Sequence, residues 1–194
     1  MKTKFLFVCL VFFSFITTPP PYNIGDKVSN FSLTNANDDA SVSLNDLADR
    51  KGVALIFTSN DCPFARFYEK RILQIQQEFK DKGIAVLLIN SNNPETSTGD
   101  SKAMMKKKAY PFPYLIDSRQ TLANQFAAEK TPEVFVLKNI NGNFVLQYKG
   151  AIDNNPQNES DVSRYYLKDA LNAIVANTSI KASEMRATGC MIQR

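Results

Sequence analysis

The 194-residue sequence contains no histidine. That absence excludes a Ser-His-Asp triad, a Cys-His nucleophile pair and any zinc or haem site that relies on imidazole. Cysteine is nearly as scarce. Cys9, Cys62 and Cys190 are the whole complement, too few and too widely spaced for a disulfide scaffold but sufficient for one redox pair. Charge of one sign is also lacking. The formal net charge is +4, with Lys2 and Lys4 at the extreme N-terminus; without those two it falls to about +2, too mild to imply a nucleic-acid partner. Internal repeats and low-complexity tracts are missing as well.

What remains is 44% hydrophobic and 22% charged, which suits one globular domain with small extras at its ends. Met1 to Ile16 reads as an export signal: Lys2 and Lys4 form a basic start, and Phe5 to Ile16 is apolar. The run is too short for a stable transmembrane span. Pro19-Pro20-Pro21 ends any helix, and no small-x-small pair marks a cleavage site, so retention by an uncleaved leader is open. The expected organisation is a leader over 1–21, a domain over 22–178 and a tail over 179–194 carrying Cys190. Export would put the thiols in an oxidising compartment, such as a periplasm.

The centre of the chain is Val53 to Arg66. Val53-Ala54-Leu55-Ile56-Phe57 reads as a buried strand. A polar patch, Thr58 to Asp61, follows, and then Cys62, Pro63 and a long helical pattern. Proline favours the first helical turn, so Cys62 is expected at the N-cap. The unpaired N–H groups and positive dipole end there favour an anion, and a thiol so placed ionises more easily than free cysteine.

Around this centre the elements fall in order. Val28, Phe31 and Leu33 suggest an edge strand, and Val42 and Leu44 the second arm of a hairpin. A short helix capped by Ser43 follows. The helix after Cys62 is expected to run to about Lys82, with Phe64, Phe67, Ile72, Ile75 and Phe79 as its apolar positions and Gly83 after its end. Ile84 to Ile89 is a second buried strand, which completes a βαβ unit. Lys102 to Ala109 is a short basic helix with a solvated face. Phe112 to Ile116 is a strand, Gln120 to Ala128 a helix, and Val134 to Leu137 a strand opened by Thr131-Pro132. Asn141-Gly142 is a strong hairpin signal leading into Phe144 to Tyr148. Tyr165 to Ala176 is the last helix, and Thr178 to Arg194 shows little periodicity. The order predicts an α/β fold: a mixed central sheet flanked by helices, with an N-terminal hairpin extension.

This order, a lone cysteine opening the helix after the central strand, and a later Thr-Pro together resemble the thioredoxin-like fold. Gly25 to Leu33 and Ser43 to Leu47 look like the opening of peroxiredoxin-type and membrane-anchored thioredoxin-type reductases. Further segments resemble exported, peroxiredoxin-related thioredoxin-like proteins of the thiol-specific antioxidant (redoxin) kind. They are Ser59-Asn60-Asp61-Cys62-Pro63, Tyr68-Glu69-Lys70-Arg71, Ile89-Asn90-Ser91-Asn92, Phe112-Pro113-Tyr114-Leu115, Gly150-Ala151-Ile152-Asp153-Asn154 and Gly189-Cys190-Met191-Ile192. Three departures stand out. The second cysteine of Cys-x-x-Cys is replaced by Ala65. The cysteine often found before the Thr-Pro is replaced by Lys130. The proline that peroxiredoxins carry four residues before their active-site hydroxyl is Leu55.

The resemblance implies a thiol oxidoreductase with Cys62 as nucleophile and Cys190 or an external thiol as its resolving partner. Pro132 is expected to be a cis-proline beside Cys62, with Thr131 and Pro132 forming a groove for substrate. Lys130, placed near Cys62, would favour the thiolate. Thr58 and Ser59 would donate to the thiolate or to a peroxide oxygen, or simply cap the strand end. Arg66, one turn beyond Cys62, would support the thiolate or face solvent. No cofactor or metal is implied. The partners are a peroxide or a protein disulfide, with an external thiol reductant. The alternative is a binding module that has lost Cys-x-x-Cys chemistry and keeps only the proline-edge groove.

Overall fold

The computed structural model describes residues 19–194. The leader reading over Met1 to Ile16, and Cys9 with it, lies outside the described residues. The strands are β1 (Ser32–Asn35), β2 (Ser41–Ser43), β3 (Gly52–Phe57), β4 (Ile84–Asn90), β5 (Tyr114–Ile116), β6 (Lys130–Thr131), β7 (Glu133–Ile140), β8 (Asn143–Gly150), β9 (Glu184–Met185) and β10 (Cys190–Met191). The helices are α1 (Pro63–Phe79), α2 (Lys102–Lys107), α3 (Thr121–Phe126) and α4 (Tyr166–Val175).

Eight strands form one mixed sheet in the order β2-β1-β5-β4-β3-β7-β8-β9. At its centre β3 runs parallel to β4 and antiparallel to β7. Every residue of β3 is buried, so the strand reads as a continuous apolar run rather than an alternation. Its side chains still alternate between faces. Ala54 and Ile56 join the layer beneath α1 and α4, with Tyr68, Ile72, Phe79, Leu167 and Leu171. Val53, Leu55 and Phe57 join the opposite layer, with Leu122 and Phe126 of α3. This is a thioredoxin-like fold with helices on both faces of the sheet.

The hairpin extension forms, with β1 and β2 antiparallel, but Val28 lies outside it, its N–H reaching Phe144 O, and Leu44 opens the turn after β2. Ser43 closes a capping box with Asp46 over a single 3-10 turn. The Asn141-Gly142 turn has φ of 53° and 83°, the doubly positive backbone of a type I′ turn. α1 yields to a 3-10 turn over Lys80–Lys82, and Gly83 takes the left-handed conformation at φ 85°.

Two local expectations change. The buried face of α1 is Ala65, Tyr68, Ile72, Ile75 and Phe79, in steps of three and four residues, with Arg71 buried beside them. Phe67 is 51% exposed and packs edge-on against Phe64. The strand expected from Phe112 begins only at Tyr114, because Pro111 and Pro113 have no N–H to give to a ladder; the Pro113 carbonyl still accepts Leu88 N–H at 3.0 Å.

The tail is strapped to the domain at two places. β9 adds in parallel to the β8 edge, pairing Gly150 with Met185. β10 pairs antiparallel with β6, Cys190 opposite Thr131 and Met191 opposite Lys130. Both contacts depend on glycine. A Cβ on Gly150 would lie 1.6 Å from the Met185 carbonyl oxygen, and one on Gly189 would lie 2.3 Å from that of Thr131. Neither approach is possible with a side chain in place. Among the described residues no helix is long and apolar enough to cross a membrane.

Candidate active site

The site is built where β3 ends. Thr58 is buried and extends the sheet by one bond, its N–H reaching Ile89 O at 2.8 Å. The chain then turns through Ser59 to Asp61 and enters α1 with Cys62 as N-cap, Pro63 directly after it. Cys62 has extended backbone dihedrals, φ −78° and ψ 119°, and its side chain makes no cap bond. The sulfur therefore stands at the helix N-terminus, where the dipole favours an anion.

Ser59 holds this turn from inside. Its Oγ accepts the N–H groups of Asp61 at 3.1 Å and Cys62 at 3.2 Å. Its own proton goes to Asp100 Oδ2 at 2.7 Å. This differs from the expected donation toward Cys62, for a simple reason: a hydroxyl has one proton, and a buried carboxylate takes it.

Facing Cys62 is the cis Thr131-Pro132 peptide bond. The Thr131 carbonyl oxygen lies 3.0 Å from Cys62 Sγ. Thr131 itself is 1% exposed, and its Oγ1 is buried without a hydrogen-bond partner among the described residues. The edge it offers is not open: β10 occupies it, and Cys62 and Cys190 are joined as a disulfide with Cα atoms 5.9 Å apart. Cys62 is only 3% exposed, whereas Cys190 is partly exposed. A cleft of about 270 Å³ opens beside the bridge, lined by Ser59, Asp61, Asn92, Ser97 and Gln193 along with the two cysteines.

The side chains of the two expected cations show no hydrogen bond to Cys62. Lys130 Nζ rests 2.8 Å from Met191 Sδ. Arg66 is exposed on the first turn of α1 and meets Cys62 only through its backbone, its N–H donating to Cys62 O at 3.1 Å. Among the described residues no group of three or more cysteine or carboxylate side chains is placed to share a metal ion.

Residues 24–154 match the family model described as the AhpC/TSA family. The chain belongs to the AhpC/TSA family. Within the solved structures it is similar to an uncharacterised conserved protein of Geobacillus kaustophilus, at 29% identity and TM-score 0.82 over 89% of this chain and 92% of that one. A hypothetical protein of Sinorhizobium meliloti is similar at 26% identity and TM-score 0.80, over 88% and 94% of the two chains. A curated relative is the thiol-disulfide oxidoreductase ResA of Halalkalibacterium halodurans, 24% identical over 66% of this chain and 69% of its own. The AhpC/TSA chain described here is thus a redoxin by family.

Two clusters escaped sequence reading. The first centres on Asp100, whose neighbours Asn90 and Asn92 close and follow the buried strand β4; polar side chains in that place are a signal for a buried network. Burial pushes the Asp100 carboxyl up, but hydrogen bonds from Ser97, Asn92, Ser59 and Asn90 outweigh it and hold the group below the usual carboxylate range. The second joins Tyr68-Glu69-Lys70-Arg71 to Gly150–Asn154. Arg71 Nη1 lies 2.5 Å from Asp153 Oδ2, and Tyr68 Oη donates to Asp153 Oδ1 at 2.6 Å. Arg71 looks like a surface charge in sequence yet is 6% exposed, its guanidinium stacked over the Tyr68 ring.

Proposed function

We propose that this protein is a thiol-disulfide oxidoreductase whose working couple is Cys62 and Cys190, acting on protein disulfides outside the cytoplasm after export through its N-terminal leader. The observation that carries this reading is the bridge itself: the helix-capping cysteine joined to a tail cysteine across the cis-proline edge. The Cys62 thiolate attacks a substrate disulfide, forming a mixed disulfide and releasing one substrate thiolate. Cys190, as thiolate, then attacks the Cys62 sulfur. The Cys62–Cys190 bond forms, the second substrate thiolate leaves, and the substrate has gained the two electrons the protein has lost.

An external thiol reverses the cycle. Its thiolate reaches the partly exposed Cys190 more easily than the covered Cys62, and Cys62 departs as the thiolate the helix N-terminus favours; a second thiol then attacks the external sulfur, releases Cys190 as its thiolate and leaves with both electrons delivered to the protein. Thr131 and Pro132 line the groove that substrate enters when β10 leaves the β6 edge it covers in the bridged form, while Pro63 sets the N-cap. The commitment of the Ser59 proton to Asp100 weighs against peroxide, whose reduction calls for donors aimed at the peroxide oxygens. A hydroxyl three residues before Cys62 favours the peroxidase reading instead.

Offering the reduced protein either insulin, as a protein disulfide, or hydrogen peroxide tests the choice. The reduced protein is expected to be oxidised to the bridged form by insulin faster than an equal concentration of free dithiol reduces insulin, with a rate that rises with pH and levels off below the free-cysteine value of about 8.5. Faster oxidation by peroxide than by insulin would contradict the proposal.

A further inference from the structure

Asp100 belongs to neither cysteine's own segment, yet its carboxylate touches the supports of both. It is 4% exposed and accepts five hydrogen bonds: from Asn60 N and Asn90 Nδ2 at 2.6 Å, and from Ser59 Oγ, Asn92 Nδ2 and Ser97 Oγ at 2.7 Å. An ionised carboxylate only accepts, so it dictates how each neighbour is turned. Ser59 must aim its proton at Asp100, which leaves its lone pairs for the N–H groups of Asp61 and Cys62. Asn92 must aim its NH2 at Asp100, which leaves its Oδ1 facing the tail, where it accepts Gln193 N–H at 2.8 Å. Gln193 lies three residues beyond Cys190, and its carbonyl in turn accepts Asn93 N–H at 2.9 Å.

We infer that Asp100 is a positioning residue that acts through Ser59 and Asn92 to hold Cys62 and Cys190 within bonding reach, and so sets how readily the pair closes. It touches neither sulfur. The inference rests on Cys62 and Cys190 being the working couple. Ser59 and Asn92 both donate to Oδ2, so an asparagine with its amide oxygen at that place would keep both; a leucine has the same branched shape and accepts nothing, so both orientations are lost together.

The test equilibrates the full chain with mixtures of reduced and oxidised glutathione. Open and bridged forms are then counted by mass after acid quenching, which gives the effective concentration of one cysteine toward the other. Asp100→Leu is expected to lower that value about tenfold or more, since two supporting hydrogen bonds are lost. In a Ser59→Ala/Asn92→Ala background the same substitution should change it by less than about twofold, because the residues it acts through are gone. An unchanged effective concentration in Asp100→Leu would overturn the inference. An equal loss in both backgrounds would also overturn it, by showing general destabilisation. Should Asp100→Leu not fold, Asn92→Ala alone keeps the carboxylate and its other partners; a drop supports the inference and an unchanged value overturns it. A wild-type chain that never bridges would instead defeat the proposed function, which keeps the two failures distinct.

Discussion

Cys190→Ser stops the proposed cycle half-way. The reduced variant still carries Cys62 at the N-cap of α1, so it attacks a substrate disulfide and forms the mixed disulfide. No second thiol then stands opposite Thr131 to release it. The adduct should accumulate on Cys62, visible by mass and reversible with dithiothreitol. Turnover should fall about a hundredfold or more, because a positioned intramolecular thiol is replaced by a dilute external one. Cys62→Ser should behave differently, losing attack altogether and trapping nothing. Rapid turnover by Cys190→Ser would mean that the tail cysteine is not the resolving group. An equal adduct on Cys190 in Cys62→Ser would mean that the helix N-terminus confers no preference.

The second large effect lies away from the sulfurs. Asp153→Ala removes the carboxylate that meets both Arg71 and Tyr68 and leaves a guanidinium 93% buried with its charge unanswered. Two backbone carbonyls, Asn155 O and Pro156 O, remain on Arg71 at 2.8 Å, but they neutralise nothing. Breaking one side of a buried pair costs about 3–5 kcal/mol, a fall in Tm of about 10 °C for a chain of this size. The Tyr68 hydroxyl, kept protonated in the native protein by burial and by the Asp153 carboxylate, loses its acceptor as well. Removing both charges together, with Arg71→Met and Asp153→Leu, should recover much of the loss, since a buried pair replaced by apolar groups is often tolerated. Thermal unfolding followed by circular dichroism measures both. A loss below about 1 kcal/mol in Asp153→Ala would show that the pair is not truly desolvated.

The sequence was most legible where a single short-range rule decides the backbone. Asn141-Gly142 specified its hairpin, Pro63 specified the N-cap at Cys62, and the apolar runs before and after α1 specified the parallel pair at the centre of the sheet. These depend on residues within a few positions of each other. The site was legible in part for the same reason: Cys62 is marked by its own neighbours. What the sequence hid depends on approach between distant segments. The place of Cys190 follows from Gly189 and Gly150, which admit the tail against Thr131 and against β8, and no periodicity in residues 178–194 could announce strands two residues long. Arg71 and Asp100 were hidden because a charged residue in sequence looks the same whether solvent or a buried partner meets it. Phe67 misled in the opposite direction, as an apolar residue one helical step off the buried face.

The most direct test of the central claim is whether Cys62 and Cys190 form a reversible couple. The full chain, reduced and then returned to a graded series of glutathione redox buffers, should move between open and bridged forms in one two-electron step, the same whether approached from the oxidised or the reduced side. The bridged form should be traced by peptide mapping to Cys62 and Cys190. A chain that only accumulates glutathione on Cys62, with Cys190 left free at every ratio, would contradict the account.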